Sequence, residues 1–249
     1  MKLSIYEIED IDLKSFRTRE TLNPKVWTED KKLKPEIRKQ LLIMADDFFD
    51  TLEVGDLEID DVTLTGSLAN YNWSNYSDID LHILVDYKDV DDNVDLVADY
   101  FRAKKGIWNE NHDISVHGFD VEMYVQDTHE DHTASGVYSI LNDKWRIEPK
   151  QLVDIEIDNK QVSKKANEMM TRVDSIEAKY DNELYDEVVD DVVKLKEKIR
   201  KFRKCGLEDQ GEFSPENLAF KALRRNGYLE KLSNLSGDAY DKMMTIKQQ

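Results

Sequence analysis

The chain has a single cysteine, four prolines and nine glycines in 249 residues, and no long apolar run. Each scarcity excludes something. Cys205 alone forms no internal disulfide and agrees with a reducing compartment. The longest uninterrupted apolar stretch, Leu41–Ala45, falls far short of the ~20 residues of a membrane span. The first ten residues carry no apolar signal core, so the expected location is the cytoplasm in which the chain is made. No internal repeat or low-complexity block is present, and the balance of apolar and charged residues is that of a soluble globular chain. Positive charge is also scarce: 35 Lys and Arg face 53 Asp and Glu, a net charge of −18. That argues against a broad nucleic-acid surface, which needs clustered cations to displace counterions from phosphates, and leaves room only for a local basic groove.

The stretch from Leu64 to Val85 is the organising one. It reads as an apolar run, a Gly66-Ser67 turn, a polar and aromatic spacer with Tyr71, Trp73 and Tyr76, and a second apolar run opened by two aspartates. In Asp78-Ile-Asp-Leu-His-Ile83 the alternation has period two. Ile79, Leu81, Ile83 and Val85 take one face of a strand, and Asp78, Asp80 and His82 take the other. Carboxylates two positions apart on a strand lie about 6–7 Å apart at Cα and can converge on a hard cation. The glycine lets backbone N–H groups and the Ser67 hydroxyl approach phosphate oxygens. The spacer aromatics either pack or stack on a base, and packing is the commoner fate.

Around this stretch, residues 1–34 read as an arm, with a strand at Leu3–Ile8 and Trp27 as its anchor on the core. Pro35 opens a helix that reaches to Gly55. Strands are expected at 62–65 and 79–87, and a helix from Asp91 to Lys105 ended by Gly106. A hairpin turning at His117-Gly118 joins 113–116 to 119–126, with Asp120, Glu122, Tyr124 and Gln126 sharing a face. His129 and His132 stand three apart, a metal-binding spacing if helical, but loop histidines are more often simply exposed. From Val162 the period becomes helical: two long helices, a third capped by Ser214-Pro215, and a short last one at 239–246. The basic run Lys194–Lys204 holds an anionic acceptor or pairs at i,i+4 with acids, as Asp190 with Lys194 and Glu197 with Lys201. The expected domains are 1–34, 35–155 and 156–249.

Gly66-Ser67, ten intervening residues, Asp78-Ile-Asp80-Leu, and a further acid on a later strand together resemble the nucleotidyltransferase superfamily of DNA polymerase β. The fuller pattern, with Tyr-Val-Gln-Asp127 and Tyr138–Trp145, looks like the stand-alone nucleotidyltransferases of tailed bacteriophages, which would place it in a host cytoplasm. The resemblance implies an α+β fold, a polymerase β-like mixed sheet flanked by helices, with a C-terminal helical subdomain. It implies an NTP substrate such as ATP and Mg²⁺ or Mn²⁺ held by Asp78, Asp80 and a third carboxylate. Glu122, mid-strand, is the first choice for that third acid and Asp120, nearer the turn, the second. Gly66, Ser67 and Ser77 would hold phosphates. Unlike many members, Leu68-Ala-Asn-Tyr71 offers neither a second glycine nor a positive charge, so Lys144 and Arg146, then Arg102 and Lys104, are candidates for the triphosphate's counter-charge.

The implied activity is transfer of a nucleoside monophosphate to an acceptor hydroxyl, with release of pyrophosphate. A protein or small-molecule acceptor is favoured over an RNA end by the acidic surface. A catalytically weak binding module of the same fold, docking a protein partner, is the alternative. A metal phosphohydrolase using His82, His112, Asp113 and Asp127 ranks below both.

Overall fold

The computed structural model describes residues 13–130, 134–151 and 155–246. The strand expected at Leu3–Ile8 and the side chain of His132 lie outside them. The chain divides into two compact units, Ser15–Asp154 and the helical segment from Ile155 onward, with which Leu13 and Lys14 are grouped.

The first unit is a six-stranded mixed sheet. Its strands are β1 (Asp61–Thr65), β2 (Ile79–Val85), β3 (Ser115–Val116), β4 (Phe119–Asp127), β5 (Val137–Ser139) and β6 (Lys144–Ile147), in spatial order β3-β4-β2-β1-β5-β6. Helices α1 (Pro35–Asp50) and α2 (Val94–Asn111) flank it. All pairs are antiparallel except β2 with β4, which run parallel because α2 carries the chain between them. The alternation in β2 sorts as the sequence implies: Ile79, Leu81, Ile83 and Val85 are fully buried, while Asp80 and His82 are half-buried on the other face. Ile37, Leu41, Ala45 and Phe48, spaced three or four apart on α1, complete the core cluster.

Residues 15–34 belong to this unit and supply part of its core. Trp27 is 3% exposed, and its indole N–H donates to the Leu68 carbonyl at 2.7 Å. Its ring stacks on Trp145 at 4.7 Å and meets Tyr138 edge-on at 5.0 Å. Tyr138 is thus a core residue, with its hydroxyl on Asp143 at 2.7 Å.

Gly106 does not end α2, which runs on to Asn111. The last turns are held by tertiary contacts that outweigh the ~1 kcal/mol cost of an internal glycine. Trp108 packs on Phe48 at 5.3 Å. The Asn109 amide takes the Met123 N–H at 3.0 Å and gives a hydrogen bond to the Met123 carbonyl at 3.2 Å, standing in for a neighbouring strand along β4's edge. The hairpin turns at His117 (φ 52°) and Gly118 (φ 83°), the positive angles a two-residue turn of this hand requires. The β5–β6 pair is an element that the periodicity alone leaves unassigned.

The second unit packs α3 (Asn159–Asp181), α4 (Tyr185–Gln210), α5 (Pro215–Arg225) and α6 (Tyr228–Met244) on one another. The Ser214 hydroxyl caps α5 by accepting from the Asn217 N–H. The last helix begins eleven residues before Ala239, since Leu232 and Leu235 are buried on the same stripe as Ala239.

Trp27→Ala should lower the unfolding free energy by about 3–5 kcal/mol, read from the urea midpoint. A loss below about 1 kcal/mol would mean that the arm does not help to hold the sheet unit.

Candidate active site

The polar face of the sheet is built by register. Parallel pairing sets Asp80 beside Glu122 and His82 beside Tyr124, while antiparallel pairing sets Asp80 beside Thr65, the residue before Gly66. Paired residues project to the same side, and neighbouring strands lie about 4.8 Å apart. Asp78, just ahead of β2, completes the group: one oxygen from each of Asp78, Asp80 and Glu122 lies within 4.8 Å of the others. Asp120 is exposed and sits opposite Ser115 in the hairpin, outside this group. Three half-buried carboxylates with no nitrogen or sulfur ligand fit a hard divalent cation such as Mg²⁺ or Mn²⁺.

Gly66 is shaped to this cluster. Its φ is 75° and ψ −162°, and a Cβ there would stand 1.9 Å from Asp80 Oδ2. Only a residue without a side chain lets the carboxylate lie against the turn. The Ser67 and Ser77 hydroxyls meet at 2.7 Å, and the Ser74 N–H donates to Ser77 Oγ at 3.0 Å, so the spacer closes into a loop that returns beside its start. Within it Tyr71 is buried, and Trp73 donates to the Thr21 carbonyl and lies beneath Arg19 at 4.9 Å. Tyr76 is the most exposed of the three spacer aromatics, at 53%.

Two residues join the cluster that sequence reasoning did not assign to it. The Tyr124 hydroxyl donates to Glu122 Oε2, and its ring stacks on His82 at 4.6 Å. Burial first, then this hydrogen bond and the charge of Asp80, hold Tyr124 firmly protonated. Lys105 of α2 places its ammonium 3.5 Å from the Tyr124 ring centroid. Burial lowers its pKa, and the charges of Glu122 and Asp80 pull the other way. A signal for Lys105 was present: Val97, Phe101, Lys105 and Asn109 continue one stripe of α2 in steps of four.

The other cations lie elsewhere. Strands β1 and β5 separate β2 from β6, which carries Lys144 and Arg146. Lys144 is exposed opposite Ser139, and Arg146 reaches Asp61 at 3.4 Å, at the end of β1 away from Gly66. Arg102 pairs with Asp99, and Lys104 bonds the Thr51 carbonyl at 2.8 Å.

His129 lies in a turn rather than a helix, near Asp127 (3.2 Å) and Asp86 (3.8 Å). His82, His112 and Asp113 form no such group among the described residues; the His112 ring stacks on Trp108.

No protein-family profile and no curated protein matches the sequence. Among solved structures, the STING-associated CdnE c-di-GMP synthase from Capnocytophaga granulosa is similar at 12% identity and a TM-score of 0.21, over 85% of this chain and 84% of that one. So distant a likeness carries no argument here.

Gly66→Ala should cost about 1–3 kcal/mol of stability from backbone strain and displace the Asp80 carboxylate. Urea unfolding and Mn²⁺ titration by electron paramagnetic resonance would read both effects. A variant equal to wild type in both would show that the close approach of Gly66 to Asp80 is not needed.

Proposed function

We propose that this chain is a metal-dependent nucleotidyltransferase, moving a nucleoside monophosphate from an NTP to an acceptor hydroxyl with release of pyrophosphate. The observation that carries the reading is the gathering of Asp78, Asp80 and Glu122 beside the Gly66-Ser67 turn. The motif spacing described above, which resembles the polymerase β superfamily, supports it independently.

In this reading Asp78, Asp80 and Glu122 hold Mg²⁺ or Mn²⁺, which when bound supplies Lewis-acid stabilisation of the phosphoryl oxygens and lowers the pKa of the attacking hydroxyl. The chain's own groups do the rest. The turn's N–H groups and the hydroxyls of Ser67 and Ser77 receive the β and γ phosphates. Glu122, whose Oε2 accepts from the Tyr124 hydroxyl, would also take the acceptor's proton. Lys105 supplies positive charge beside the carboxylates, a role that the positions of Lys144 and Arg146 do not suit. A protein or small-molecule acceptor fits the net charge of −18 better than nucleic acid does.

The test is incubation with α-³²P-labelled NTPs, Mg²⁺ or Mn²⁺ and a cell lysate supplying acceptors. Label should pass to a protein or small product, vanish with EDTA, and fall at least about 1,000-fold in Asp78→Ala/Asp80→Ala. Mn²⁺ should raise the melting temperature of wild type and not of that variant. Absence of both transfer and Mn²⁺ stabilisation in wild type would overturn the enzyme reading.

Lys105→Met, which keeps the aliphatic stem, should lower kcat/KM by about 100-fold with the folded state intact by circular dichroism. Unchanged kinetics would remove Lys105 from the site.

A further inference from the structure

The helical unit carries a groove of about 340 Å³ between α4, α5 and α6. Its floor is apolar, with Phe220 from α5 and Leu229 and Leu232 from the start of α6. Its rim is Lys196, Arg200 and Arg203, one stripe of α4 at spacings of four and three, and no carboxylate lines it. In a chain of net charge −18, a recess whose only charged lining groups are three cations departs from the overall balance of charge.

Three other cations of α4 pair with acids of the same helix. Lys201 pairs with Glu197 at 2.7 Å, Lys204 with Glu208 at 3.7 Å and Lys194 with Asp190 at 3.9 Å. Lys196 reaches the Ser233 hydroxyl at 3.4 Å, and among the described residues neither it nor Arg200 forms an ion pair. Arg203 lies flat against Phe220, its guanidinium carbon 4.2 Å from the ring centroid, and is fixed there by its Nε–H to Asn217 Oδ1 at 3.2 Å. A guanidinium held on a ring offers its outer face as a platform for a second planar group.

We infer that this groove is a binding site for a small aromatic phosphate of the nucleoside monophosphate class, its ring lying on Arg203 and the apolar floor and its phosphate held by Lys196 and Arg200. The chemistry of the lining sets the class: a plane to stack on, apolar walls, and two cations one helical turn apart. A free small molecule fits better than a nucleic-acid strand, because the groove offers three cations only and the chain as a whole carries −18. The site uses none of Asp78, Asp80 or Glu122, so it stands or falls apart from the proposed enzymatic reaction.

The experiment is isothermal titration of the full chain with AMP in EDTA, which removes metal-dependent binding at the carboxylates. Wild type should bind with a dissociation constant below 1 mM, about tenfold more tightly than either adenosine or inorganic phosphate. Lys196→Glu/Arg200→Glu, both exposed positions, should weaken binding at least about tenfold. Ser233→Glu, which adds an acid to the facing wall, should do the same by an independent route, with folding checked by circular dichroism. Asp78→Ala/Asp80→Ala should bind as wild type does. No AMP binding by wild type, binding indifferent to both groove variants, or binding lost in the carboxylate variant would each overturn the assignment. So would phosphate alone binding as tightly as AMP, or an RNA oligonucleotide binding more tightly.

Discussion

The parallel pairing of β2 with β4 is the constraint on which the candidate site depends. It sets Asp80 beside Glu122, and the antiparallel pairing on the other edge of β2 sets Asp80 beside Thr65 and the Gly66 turn. Three carboxylates held within 4.8 Å repel one another. At an effective dielectric near 20 each such pair costs on the order of 3 kcal/mol. The sheet can impose that arrangement because the opposite faces of the same strands are locked in the core: Ile79, Leu81, Ile83 and Met123 are at most 1% exposed. Slipping β2 by one residue would relieve the repulsion only by turning its apolar side chains outward and its acids into the core.

Around the acids lies a partial compensation that the chain supplies itself. Tyr124 donates to Glu122 and carries the Lys105 ammonium on its ring, so Glu122 is hydrogen-bonded and a positive charge stands near. The His82 ring on the other side of Tyr124 limits how the phenol can turn. A divalent cation would offset the mutual repulsion of the three carboxylates. The sheet unit gathers Asp78, Asp80 and Glu122 together, while the groove of the helical unit is lined by cations along one stripe of α4.

Much of this was legible in the chain. The alternation of Asp78–Val85 gave the strand and its two faces, and the His117-Gly118 turn gave the hairpin that aligns Glu122. Other features were not, each for a tertiary reason. Gly106 punctuates a helix in isolation, yet Trp108 and Asn109 beyond it are fixed by Phe48 and Met123, distant in sequence. Tyr138 and Trp145 lie where no local period assigns an element, and the packing of Trp27 from the arm is what brings both rings into contact. Lys144 and Arg146 sit on a strand that short-range pattern did not reveal, so their distance from the acids could not be judged.

By itself the sequence determined which residues share a face, because a strand's period of two and a helix's stripe are local consequences of backbone geometry. It therefore determined that two aspartates project together after a glycine-serine turn. Only tertiary structure decided which strand lies next to β2, and with it that Glu122 rather than Asp120 joins the aspartates and that Lys105 rather than Arg146 stands beside them. Strand order and the packing of α2 arise from contacts between segments tens of residues apart, and no local period encodes them.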